Sequence, residues 1–114
     1  MSFRNPIPIR LKEARKNTKL SQKALGVRIG MDEGSASARM NQYEKGRHTP
    51  DIKTLKLLAN ELGVPLNYFF CEDETSASLA VNLNKLPQSD QQAILDLTIQ
   101  LLAKYERDTS DQSK

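Results

Sequence analysis

From Ile7 to Phe70 the apolar residues recur three and four apart, in short runs closed by a glycine, a proline or a small polar cluster. That spacing follows the 3.6-residue period of an α-helix, so the front of the chain is read as short helices separated by brief punctuation. Pro6 and Pro8 precede the first pattern, in which Ile7, Leu11 and Ala14 share a face and Arg10, Lys12, Arg15 and Lys16 crowd the remainder. Asn17-Thr18-Lys19 breaks it, and Leu20-Ser21-Gln22 opens a second helix with Leu25 and Ile29 facing inward. Ser21 suits the N-cap, where a hydroxyl accepts an otherwise unpaired backbone N–H. Glycine costs about 1 kcal/mol of helix propensity, so Gly26 is read as permitting a close helix–helix approach. Gly30 ends the segment as a left-handed C-cap would.

Residues 31–38 are small and polar and read as a turn running into a third helix over 37–45, with Met40 and Tyr43 as a narrow apolar edge and Gly46 as its stop. Thr49-Pro50-Asp51 starts a fourth helix, proline and an acidic residue both being favoured in a first turn. Its Leu55, Leu58, Ala59 and Leu62 give the strongest amphipathic signal of the front half, and Gly63 closes it. Pro65 begins a fifth, short helix, Leu66–Phe70, whose Phe69 and Phe70 are expected to close the core. Aromatic residues make up only 5% of the chain and Trp is missing, so the core rests on Leu, Ile and Val.

Three segments follow: residues 1–70 as the helical domain, 71–86 as a linker, and 87–114 as a C-terminal element. The linker is acidic at first, then rich in Ser, Ala and Asn. The last element carries a long helix over 87–106, with Ser89 and Gln92 fitting a capping box and a polar end expected to fray. Its Ile94, Leu95, Leu97, Ile99, Leu101, Leu102 and Tyr105 form a wide apolar face, too apolar to stand alone in water. Residues 1–70 hold 13 Lys/Arg against 6 Asp/Glu, and residues 71–114 hold 4 against 8, so a front half of net +7 precedes a tail of net −4. A basic front half suits an anionic partner as well as it suits ordinary surface charge.

Leu20-Ser21-Gln22, Leu25, Gly30, Tyr43-Glu44-Lys45-Gly46, Pro50, Leu55 and Leu62-Gly63-Val64 occur in an order that resembles the phage Cro and repressor (XRE) type of helix-turn-helix transcriptional regulator. The resemblance covers about residues 7–70. It implies an all-α, five-helix repressor-like DNA-binding domain whose third helix enters the major groove of double-stranded DNA. It also implies a phosphate contact for Gln22 and a buried ion pair between Arg15 and Glu44. Arg39, Asn41 and Gln42 fall on the outer part of the third helix, where Arg grips guanine and Asn or Gln grips adenine. Ser37 and Ala38 stand nearer the end that points at base edges. The alternative reading of each is a solvated surface position, with base contact favoured for Asn41 and Gln42. Lys45, Arg47 and Thr49 follow the helix and suit phosphates, which position a protein without reading sequence; Lys45 and Arg47 also read as plain surface charge.

The sequence departs from the family between Gly30 and Glu44, where extra residues fall within Met31 to Ser37. They either lengthen the turn or add a turn to the recognition helix. They also bring in Asp32 and Glu33, read as capping the third helix in preference to accepting from a cytosine amine.

No nucleophile–base signature, paired catalytic carboxylates or phosphate-binding glycine loop is seen, so no enzyme, catalytic residue or cofactor is expected. His48 alone makes no metal cluster and reads as a loop residue, with a phosphate contact or pH sensing as lesser alternatives. Cys71, the single cysteine, forms no intramolecular disulfide; redox sensing is its lesser reading. With no apolar run of membrane-spanning length and no apolar leader at the N-terminus, the expectation is a soluble cytoplasmic protein. The last helix either folds back on the front domain or pairs with its copy in a second chain; a homodimer through Ile94, Leu97, Leu101, Leu102 and Tyr105 is the expectation, which suits a palindromic operator. The alternative is an antitoxin-like protein whose tail binds a partner toxin while the front half autoregulates. A further alternative is an interaction module that has lost DNA binding.

Overall fold

The computed structural model describes residues 4–112, and every regular element among them is helical. Met1 to Phe3, read above for a leader, and the last two residues of the tail lie outside that range. The elements are α1 (Ile7–Asn17), α2 (Gln22–Arg28), α3 (Ala36–Glu44), α4 (Ile52–Leu62), a 3-10 turn (Leu66–Phe70), α5 (Glu74–Lys85) and α6 (Gln88–Gln112). They divide into two units, residues 1–84 and 85–114.

In the first unit α1, α2 and α4 contribute the faces that their spacing selected, whereas α3 begins at Ala36, buries it together with Met40, and leaves Tyr43 of the expected edge half-buried. Ile7, Leu11 and Ala14 of α1, Leu25 of α2, Ala36 and Met40 of α3 and Leu55, Leu58, Ala59 and Leu62 of α4 are all buried. Ser21 caps α2 by accepting from the Ala24 backbone N–H at 3.0 Å. Gly63 closes α4 in the left-handed conformation at φ 69°, which a side chain would strain. Asp51 serves as the N-cap of α4, accepting from the Thr54 N–H at 2.8 Å, with buried Pro50 just outside the helix. This backbone bond holds the Asp51 carboxyl below its ordinary range.

Several expectations are corrected. Phe70 is exposed, and Tyr68 takes the core position beside Phe69. Successive residues of a 3-10 turn point about 120° apart, and Tyr68 and Phe69 already occupy the inward directions. The segment read as a linker over 71–86 contains α5. Asp73 accepts from the Ser76 N–H at 2.6 Å at its start, which lowers the Asp73 carboxyl. Ala77 is buried, with Ala80 and Val81 packed against the same core. This i, i+3, i+4 stripe is made of residues so small that it reads as a linker in the sequence.

Arg10 is also buried, at 3% exposure. It lies between Ile7 and Ala14 on the inner face of α1 and donates to the Cys71 carbonyl at 2.8 Å, to Glu13 at 3.0 Å and to Glu74 at 3.1 Å. The Tyr68 hydroxyl donates to the same Glu13 oxygen. Burial works against the Arg10 charge, but its bonds to Glu13 and Glu74 outweigh it and raise its pKa. Burial and the Glu13 bond push the Tyr68 hydroxyl up. A guanidinium therefore ties the start of α5 to α1.

The second unit consists essentially of α6. The capping box does not form, because the Asp90 and Gln91 N–H groups both bond the Pro87 carbonyl and so place Ser89 inside the first turn. The Gln92 amide donates to Asp96 instead. The helix also runs through the polar end expected to fray, as far as Gln112. Along it Ile94, Leu95, Leu97, Ile99, Leu101, Leu102 and Tyr105 are 37–68% exposed. No helix among the described residues is long and apolar enough to cross a membrane.

Candidate nucleic-acid interface

Helices α2 and α3 approach closely because residue 26 has no side chain. A Cβ built on Gly26 would stand 2.8 Å from the Ala36 Cβ and 3.2 Å from the Ala36 Cα, inside the contact distance of any pair of carbons. The extra residues before α3 form a turn and add nothing to the length of the helix. The Asp32 carbonyl accepts from the Ser35 and Ala36 N–H groups at 3.1 and 2.9 Å, so its backbone, and not its carboxylate, closes the turn. Ser35 stands at the N-cap, but its side chain accepts from no helix N–H; its hydroxyl donates to the Asp32 carbonyl at 3.4 Å. Glu33 pairs with Lys23 of α2 at 3.1 Å. The capping expected of Asp32 and Glu33 side chains is thus replaced by a backbone turn and an exposed ion pair.

Ala36, Met40 and Glu44 form the inner stripe of α3. Ser37, Ala38 and Arg39 are exposed on the other side, and Asn41 and Gln42 are half-buried along its edges. Residues three and four apart are neighbours on a helix surface, so Asn41 lies in line with Ser37 and Ala38, and Gln42 with Ala38 and Arg39. The chain then folds back on the end of α3. Arg47 and His48 donate their backbone N–H groups to the Gln42 carbonyl at 3.0 and 3.4 Å, with Gly46 at φ 75° making the bend. These bonds satisfy a carbonyl that a helix end leaves unpaired and hold the exposed Lys45, Arg47 and Thr49 next to Gln42. Arg39, Gln42, Tyr43, His48 and Thr49 line a shallow open recess.

Beneath this face lies a polar network. Arg15 of α1 grips Glu44 with two bonds, Nε to Oε2 at 2.6 Å and Nη2 to Oε1 at 2.9 Å, and its third donor reaches the Leu20 carbonyl at 2.9 Å. The Glu44 side chain is 2% exposed and that of Arg15 12%. The bonds to Glu44 raise the Arg15 pKa against the opposing effect of burial. Gln22 Nε2 donates to Glu44 Oε1 and to Asn41 Oδ1, both at 3.2 Å. The only carboxylate of α3 is therefore neutralised inside the protein, and its outer surface carries one formal charge, the positive one of Arg39.

The structure thus gathers Ser37, Ala38, Arg39, Asn41 and Gln42 on one helix, Lys45, Arg47 and Thr49 in the loop after it, and Gln22 behind Asn41. Ile94, Leu97, Leu101, Leu102 and Tyr105 belong to the other unit. Nothing among the described residues groups three or more potential metal ligands. Sequence reasoning missed the lining role of His48 beside Gln42 and the buried position of Arg10. The signal for Arg10 was its place at i+3 from Ile7 and i−4 from Ala14.

A family of helix-turn-helix domains matches residues 9–71. Among solved structures the chain is similar to the transcriptional regulator BswR, with 43% sequence identity and a TM-score of 0.81, over 86% of this chain and 97% of that one. No curated protein sequence matches the chain.

Proposed function

Because the chain belongs to the helix-turn-helix domain family, we propose that it is a sequence-specific DNA-binding transcriptional regulator of the Cro and repressor (XRE) type, acting in the cytoplasm as a repressor. The observation that carries this reading is the outer side of α3, which offers exposed Ser37, Ala38 and Arg39 with Asn41 and Gln42 beside them and no exposed carboxylate. A helix of this kind fits a major groove about 12 Å wide. Lys45, Arg47 and Thr49 anchor its far end on phosphates, which fixes register without reading bases. The likeness to a transcriptional regulator supports the same reading.

The regulator works as a homodimer through α6. The apolar residues of that helix are exposed over its length, and a second copy would cover them with a face of the same chemistry and match two half-sites one helical turn apart. The same exposed face favours, as a second reading, an antitoxin-like protein whose tail binds a toxin. A toxin gene beside this one, with a product that binds α6, would favour it.

The test is a salt series of binding to a random duplex pool, with the bound fraction sequenced, alongside sedimentation of the free protein. Enrichment of a palindrome, affinity falling steeply with salt and a dimer in solution are expected. No enrichment at any salt refutes the DNA-binding reading, and a monomer at every concentration, with and without operator, refutes the dimer.

A further inference from the structure

Helix α5 has two apolar sides. Ala77, Ala80 and Val81 pack on the core. Leu79 and Leu83 lie on the other side; with Leu86 they keep the i, i+4, i+7 spacing of a second helical face and are 37–61% exposed. On α6 the apolar arc is too wide for one neighbour. At about 100° per residue, Ile94, Leu97, Leu101 and Tyr105 share one direction, and Leu95, Ile99 and Leu102 share a second about 120° away. A helix that packs on one partner shows a stripe about 100° wide, so α6 carries two such stripes, both exposed.

The first stripe suits the same stripe of a second copy, but it is short. From Ile94 to Tyr105 it runs about 17 Å, against the roughly three to four heptads over which a coiled coil is sustained. A pair joined there alone falls well short of the roughly 20–30 residues that each partner commits to a stable interface. Every copy brings one further stripe on α6 and one on α5, both built from leucine and isoleucine. Resting on the homodimer of the regulator, we propose that the Leu95, Ile99 and Leu102 stripe of each copy covers the Leu79 and Leu83 stripe of the other, so that two α5 and two α6 helices form a four-helix dimer core. The exchange closes under a two-fold axis, with each contact made twice and neither stripe left over. A bundle of α6 helices alone would leave Leu79 in water. Because Arg10 ties α5 to α1, the contact sits on the DNA-binding unit itself.

Two complementary chains test this by sedimentation equilibrium, with helical ellipticity as a check on folding. One carries Leu79→Lys with Leu83→Lys, the other Leu95→Glu with Ile99→Glu. Alone, each is expected to dissociate at a concentration at least about 10-fold above that of the wild-type dimer. Mixed, they are expected to form a dimer tighter than either alone, because one exchanged contact becomes a lysine–glutamate pair and the other is wild type on both sides. Salt should weaken the mixed dimer more than the wild-type one. Should the lysine chain lose helix, Leu79→Ala with Leu83→Ala repeats the dissociation measurement without added charge.

A dimer as tight as wild type in the chains altered on α5 overturns the proposal, since α5 then lies outside the interface. A mixture no tighter than its components also overturns it: the stripe is then covered by α6 of its own chain or by a foreign protein. A wild-type tetramer points to α6 helices bundling among themselves and overturns it as well. A wild-type monomer at every concentration refutes the homodimer and this exchange together, whereas the other three outcomes leave an oligomer standing and refute the exchange alone.

Discussion

Replacing Arg15 by Met removes the charge that neutralises Glu44 while keeping the length of the side chain. The Glu44 carboxylate, 2% exposed, would be left with a single donor, Gln22 Nε2 at 3.2 Å. The Leu20 carbonyl would lose its bond as well. Breaking a buried pair by removing one partner costs roughly 3–5 kcal/mol. Arg15 itself is 12% exposed, so water can reach part of the vacated space and the lower end applies, about 3 kcal/mol. A domain of this size loses about 4–8 °C of Tm per kcal/mol, so the melt is expected to fall by about 10–25 °C. Urea unfolding followed by helical ellipticity should show a lower midpoint with an unchanged slope. The companion variant Arg15→Met with Glu44→Leu removes both charges and is expected to regain most of the loss, since an apolar pair of similar volume is often neutral or better. A cost below about 1 kcal/mol for Arg15→Met, within the range of exposed pairs, would refute the reasoning, as would a double variant no more stable than the single one.

Two further outcomes follow from the packing and the caps. Gly26→Ala gains about 1 kcal/mol of helix propensity but sets a methyl against the Ala36 backbone, where overpacking costs about 1–3 kcal/mol; a net fall in the urea midpoint is expected, and a rise would contradict the close approach. The Asp51 and Asp73 carboxyls are held below their ordinary value of 3.8, chiefly by backbone bonds from Thr54 and Ser76. A depressed carboxylate stabilises the fold above its unfolded pKa and loses that contribution as pH falls through the folded one, so melts from pH 5 downward should be flatter for Asp51→Asn with Asp73→Asn than for the wild-type chain. Identical curves would contradict the assignment.

How far the sequence could be read depended on side-chain size and on range. Helices α1 to α4 were legible because Leu11, Leu25, Leu55 and Leu58 are large, and glycines at 30, 46 and 63 mark the ends of segments. Helix α5 was not, because its inner stripe of Ala77, Ala80 and Val81 offers little contrast with a linker, and its anchor to α1 comes from Arg10, over sixty residues earlier. The outer residues of α3 were legible as a polar edge on a short helix. The orientation of Asn41 was not, since it depends on Gln22, Glu44 and Arg15 meeting across three helices, and spacing along one chain carries no record of which end of an amide faces a neighbour.

Gly26 and Ala36 have room between them for one methyl group, and it belongs to Ala36. In any lineage diverging from this sequence the two positions are therefore not free to drift separately. A side chain can appear at 26 only where 36 has first given up its own, and anything larger than alanine at 36 forces the helices apart. Substitutions at this pair should be correlated among descendants, even as Ser37, Ala38 and Arg39, the next three residues and facing solvent, vary to follow whatever the exposed edge must recognise.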